Sequence, residues 1–253
     1  MVYEAVGEVN CDDSPLPLVG EGLGRGQIKP ISGLELPADK TIKDTVVLVH
    51  GLWMRGWVIA WLGGRLRRCG FNTVAFSYPS VRGTLSQNAL RLSRFVAGLD
   101  APRIHFMGHS LGGLVLLQML ATHPDPRTGR VVLAGCPYRA SYAASKLARR
   151  GLGRLLIGRS VLQYLGQPAP ECAERYEVGV IAGCKPLGAG RFIGGVPQPN
   201  DGVVVVEETA LPGASDQIVL NVCHTCMLLS AQVARQACAF LRQGHFLHDM
   251  ESK

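Results

Sequence analysis

The chain has 253 residues, 47% of them hydrophobic and 18% charged, with a formal charge of +7. That length suits one large domain or two small ones, and the apolar content is enough for a sizeable core. The 31 glycines and 15 prolines follow no period, which excludes collagen and repeat arrays, and aromatics at 6% are too sparse for a nucleic-acid footprint.

Residues 1–43 show no sustained periodicity, and PLPLVGEGLGRGQIKPISG reads as an extended arm. The opening MVYEAVGEVNCDDSP carries acids and no apolar segment, which argues against a secretory signal. Eight cysteines in a chain with its own core read as mostly reduced thiols, and a cytoplasmic location is the expectation.

From residue 45 the pattern changes. TVVLVH (45–50) is a short apolar run before Gly51, suited to a strand buried on both faces. WVIAWLGGRLRRCG predicts a helix stopped at Gly70. A strand follows over 72–79, a helix over 84–99, a strand over 103–110, a helix over 111–123 and a strand over 130–137. The longest apolar stretch, 111–122, is too short to span a bilayer. Residues 137–170 are helical in composition; 175–183 and 216–222 read as strands, and 225–244 as the last helix. Strict alternation of strand and helix with short connections predicts an α/β fold, a mostly parallel central sheet with helices on both faces. Chemistry in such sheets gathers at the carboxyl ends of the strands.

FMGHSLGG lies at one such end. It holds G-x-S-x-G as Gly108, His109, Ser110, Leu111 and Gly112, with an apolar strand before it and an apolar helix after. A strand-to-helix turn this sharp holds the central serine in a strained conformation, and side chains two residues to either side would collide, so glycine fits there.

With LVHGLW upstream and NDGVV and CHT downstream, in that order, residues 45–244 resemble the α/β-hydrolase fold of serine esterases and lipases, and in particular small intracellular bacterial lipase-like hydrolases. The resemblance implies an α/β-hydrolase domain over 44–245 with a small cap inserted at about 137–170, between an arm over 1–43 and a tail over 246–253. It implies that the backbone N–H groups of Leu52 and Leu111 form the oxyanion hole. It also implies a catalytic set in the chain order serine, acid, histidine.

Ser110 is then the nucleophile. Of the seven histidines, only His224 directly follows a predicted strand and lies downstream of candidate acids. Asp201 and Asp216 compete for the third place, with Glu207 and Glu208 behind. Asp216 opens the strand that His224 follows, so about 25 Å of extended chain separates them. Asp201, in the turn PNDG, lies where the family places its acid, and it also reads as an Asx-turn residue. The C-x-x-C around His224, Cys223 and Cys226, invites a metal or dithiol reading. A metal needs two more ligands, and the chain has no second C-x-x-C and no H-x3-H. Neither metal nor cofactor is expected, and the two sulfurs read as packing around the loop.

The segment 139–159 carries Arg139, Lys146, Arg149, Arg150, Arg154 and Arg159 and no acid. It suits peripheral contact with an anionic membrane, or a solvated cap surface. The expected partner is a small-molecule ester or lipid, and nucleic acid is not expected. The sequence therefore reads as a carboxylic ester hydrolase working through an acyl-enzyme. An acyltransferase or thioesterase with the same triad, or a non-catalytic lipid-binding module, are the alternatives.

Overall fold

A computed structural model describes residues 44–150, 152–188 and 195–248, all within one compact unit spanning Lys43–Lys253. The expected arm over 1–43 and residues 249–253 of the expected tail lie outside the described residues.

Six strands form one sheet: β1 (Thr45–Val49), β2 (Asn72–Phe76), β3 (Ile104–His109), β4 (Thr128–Ala134), β5 (Val178–Gly183) and β6 (Asp216–Leu220). Their order is β2-β1-β3-β4-β5-β6 and every pairing is parallel. β1, β3 and β5 are buried along their whole length, as continuous apolar runs covered on both faces must be. The helices are α1 (Gly56–Arg68), α2 (Leu85–Ala97), α3 (Leu111–Thr122), α4 (Tyr142–Ala148), α5 (Gly153–Leu165) and α6 (Ala231–Gln243). One core joins the sheet to α2, α3 and α5; a second, on the other face, joins it to α1 and α6.

Local chemistry sets the helix ends. Thr84 and Gln87 form a reciprocal capping box at the start of α2. Ser230 caps α6, and Gly244 closes it in the left-handed region. The last helix is therefore shorter than expected: Thr225–Leu228 is a 3-10 turn, and the α-helix begins only beyond Ser230. The expected tail is not loose at its start. Phe246 is buried against Phe240, its N–H donates to Asp216, and Leu247 is held at both N–H and C=O by Gln236.

The segment between β4 and β5, where a cap was expected, forms α4 and α5, with a kink at Gly158 inside α5. Polar contacts anchor it. The Tyr164 hydroxyl donates to the Pro137 carbonyl, and Asn88 of α2 bonds the Ser160 hydroxyl. Buried Glu208 accepts the Tyr142 and Val205 N–H groups on its two oxygens. No helix among the described residues is long and apolar enough to cross a membrane.

The cysteines differ from expectation. Cys69, at the end of α1, is bridged to Cys238 in α6, and Cys223 is bridged to Cys226. Half of the eight are thus disulfides rather than thiols. α1 and α6 pack side by side on one face of the sheet, which brings the first pair together. Cys136 and Cys172 are buried thiols whose pKa values burial pushes up, the latter to about 11.

Candidate active site

Ser110 follows β3 directly at φ 53° and ψ −126°. Positive φ in a non-glycine residue is strained, and among the described residues only Trp53 shares it. Packing imposes the strain. A Cβ on Gly112 would lie 2.2 Å from the Val49 carbonyl oxygen, and one on Gly108 2.6 Å from the Gly113 Cα. The Ser110 N–H donates to Ala134 of β4, and the Gly113 N–H donates back to Ser110. The two strained residues sit beside the two backbone groups that the family resemblance implies. Leu111 follows Ser110 and opens α3; Leu52 precedes Trp53. Neither N–H has a protein acceptor among the described residues, and both residues line the same cavity as Ser110.

His224 lines the same cavity and pairs with Asp201. The His224 Nδ1 lies 2.6 Å from Asp201 Oδ2. A carboxylate only accepts, so Nδ1 is the donor, and in the neutral imidazole this leaves the lone pair on Nε2. Asp201 is fully buried. Its other oxygen accepts from the N–H groups of Val203 and Val204, at 2.9 and 2.8 Å. Asp201 is thus both a turn residue and the partner of His224. The His224 N–H also donates to the Asp201 carbonyl at 2.8 Å, so the two loops are tied at backbone and side chain. Asp216 serves elsewhere, accepting from Phe246 N–H and pairing with His248 at 2.9 Å. Ser110 and His224 line one cavity, and no hydrogen bond joins them.

Two residues shape this site in roles that the sequence did not indicate. His109 donates from Nε2 to the His224 carbonyl at 3.0 Å, its ring 4.8 Å from that of His224. Its Nδ1 is buried without a partner among the described residues. Burial, with a smaller contribution from neighbouring His224, holds its pKa down to about 3. Gly135, after β4, has φ 57°, and a Cβ there would stand 3.1 Å from His224 Nδ1 and 3.2 Å from Asp201 Oδ2. Only its place after a strand, in AGCP, could have drawn notice.

The cavity holds about 390 Å³. Gly51, Leu52, Ser110 and His224 line it together with Ala144, Leu147, Ile157, Val161 and Tyr164 of α4 and α5. The result is an apolar chamber with a few convergent polar groups at one end, the usual build of a small-molecule site. Cys223 and Cys226 flank His224 as a disulfide, not as packed thiols; the Cys226 N–H donates to the Cys223 sulfur. Among the described residues no three His, Cys, Asp or Glu side chains are grouped to hold a metal.

Residues 46–249 match the model of the alpha/beta hydrolase family, and the chain belongs to that family. Solved structures agree on the fold. The mature form of the Bacillus licheniformis lipase BlEst2 superposes with a TM-score of 0.64 at 19% identity, covering 84% of this chain and 96% of that one. A metagenomic carboxyl esterase superposes at 0.55 and 20% identity, covering 80% and 71%. The propeptide form of BlEst2 gives 0.64 at 18%, covering 87% and 54%. No protein of curated function matches by sequence.

Proposed function

We propose that the protein is a serine hydrolase that cleaves carboxylic esters of apolar acyl chains through an acyl-enzyme. The observation that carries this reading is the buried Asp201–His224 pair, 2.6 Å apart, opening on the apolar cavity that Ser110 shares. A serine hydroxyl is a poor nucleophile until a base takes its proton, and a carboxylate fixes that base in one tautomer. In the proposed sequence Ser110 Oγ bonds to the ester carbonyl carbon while its proton passes to His224 Nε2. The tetrahedral oxyanion accepts from the Leu52 and Leu111 N–H groups. Collapse breaks the bond to the alcohol oxygen, which leaves with the proton from His224. Water then repeats both steps on the acyl-Ser110, releasing the acid. The first turn of α3 adds its positive dipole end to the oxyanion site.

The cytoplasmic expectation rests on reduced thiols. Two closed bridges support an oxidising compartment instead. Titration of free thiols in protein isolated without reductant tests this: eight reactive thiols on unfolding would restore the cytoplasmic reading.

Labelling with a fluorophosphonate, followed by turnover of p-nitrophenyl esters of graded chain length, tests the mechanism. The expected outcome is one adduct, on Ser110, and loss of about 10⁶ in kcat for Ser110→Ala. No adduct in folded protein and no turnover across the ester series would overturn it. Product analysis with added alcohols separates hydrolysis from acyl transfer.

A further inference from the structure

The apolar side chains left in solvent are not scattered. Of the nine large ones exposed among the described residues, all but Leu187 come from three neighbouring segments: α1 with the loop before it, the cap, and the turn after His224. The chain has three tryptophans, and all three are here. Trp53, Trp57 and Trp61 are 59%, 70% and 69% exposed, although tryptophan is ordinarily among the most deeply placed residues. Trp57 and Trp61 stand one turn apart on α1, opposite the face that buries Ile59, Leu62 and Leu66.

These segments join at the cavity. The Trp53 indole N–H donates to the Leu156 carbonyl of the cap at 2.9 Å. Trp53 and Leu156 are each more than half exposed, and both also line the cavity, so the outer apolar face runs into the inner one. Leu152 and Leu155 extend it along the cap. On the other side, the Arg65 guanidinium donates to the carbonyl of exposed Leu229, five residues beyond His224.

The charge around this face has one sign. The segments that carry it, 51–68 and 139–165, contain Arg55, Arg65, Arg67, Arg68, Arg139, Lys146, Arg149, Arg150, Arg154 and Arg159 and no acid. Arg55 stands exposed between Trp53 and Trp57, and Arg149, Arg150, Arg154 and Arg159 stand exposed on the cap. Tryptophan and leucine rimmed by arginine is the composition of a surface that lies in a lipid interface. A second copy of the chain fits poorly, because an isologous pairing would set the two arginine rims against each other.

We propose that this face docks on an anionic lipid surface, with the tryptophans at headgroup level, the arginines on the phosphates, and the cavity mouth opening into the lipid. If the esterase reading above holds, the substrate is an ester resident in that surface rather than one drawn from water. The docking itself does not depend on that reading.

The tryptophans make the test direct. Full-length protein is titrated with vesicles of phosphatidylcholine alone and of phosphatidylcholine with phosphatidylglycerol, following intrinsic fluorescence and co-sedimentation. The expected result is a blue shift and saturable binding, about tenfold or more tighter on the anionic vesicles, since arginines near an anionic surface are drawn to it. Binding should weaken in 1 M salt, where the screening length falls to about 3 Å. The double variant Trp57→Ser/Trp61→Ser should lose about tenfold or more in vesicle binding and keep its turnover of a short, water-soluble p-nitrophenyl ester. Ser110→Ala should bind as the parent does, which keeps a failure of the catalytic reading distinct from a failure of this one. No shift with anionic vesicles, or equal binding to neutral ones, overturns the proposal. So does concentration-dependent self-association without vesicle binding, which would give the face to a second copy.

Discussion

Asp201 uses its two oxygens for different tasks, and the difference can be read out. Asp201→Asn keeps an oxygen for the Val203 and Val204 N–H groups but sets an amide donor, or a neutral acceptor, against His224 Nδ1. We expect the fold to survive and kcat to fall by about 10⁴. Asp216→Asn should leave kcat unchanged and cost about 1–2 kcal/mol in urea unfolding, through its contacts with Phe246 and His248. The reverse pattern would exchange the roles of the two acids. Gly135→Ala tests the same pair from behind. Its methyl crowds both His224 and Asp201, and a shift of about 1 Å in a catalytic base costs about 10²-fold in rate. His109 gives a pH signature. Its folded pKa, about 3, is depressed below the unfolded value, so the stability it contributes is present above that unfolded value and is lost as pH falls. Between pH 6.5 and 3 the unfolded chain holds one more proton at this residue than the native one, a slope of about 1.4 kcal/mol per pH unit. His109→Asn should remove that much slope from the acid limb of the unfolding free energy, whatever it does to the absolute stability.

At the scale of elements, most of the architecture was legible because strand and helix obey different periods and alternate strictly. The Ser110 turn was legible because crowding admits only glycine at 108 and 112. The last helix was misread because TCMLLSAQVARQ is apolar enough to run on as one helix. What divides it is Ser230, whose hydroxyl accepts the Val233 N–H and starts α6 six residues later than expected. Ser230→Ala should cost about 1 kcal/mol. The segment expected to form a cap was read as helical from its composition and folds as α4 and α5, but its anchor was not legible. Glu208 was weighed only as a weak candidate acid, and nothing local shows that its carboxylate would cap α4 from sixty-six residues away. Glu208→Ala leaves the Tyr142 and Val205 N–H groups without their acceptor. We expect a loss of about 3 kcal/mol in unfolding experiments, with the short-ester kcat altered because α4 lines the cavity.

For the whole molecule, the disulfides were the part the sequence could not show. Eight cysteines allow 105 full pairings, and only the packing of α1 beside α6 selects Cys69 with Cys238. That bridge closes a loop across 169 residues, so Cys69→Ser/Cys238→Ser should lower the unfolding free energy by about 5 kcal/mol, as the loop-entropy relation requires. The same bridge has a consequence for a broken chain. The link between α4 and α5 presents Arg149 and Arg150 exposed and adjacent, an open substrate for trypsin. A cut there divides the sheet, with β1–β4 on the first fragment and β5–β6 on the second, and puts Ser110 and His224 on different polypeptides. Because Cys69 lies on one fragment and Cys238 on the other, the nicked protein stays a single covalent molecule, migrating as one band without reductant and as two with it.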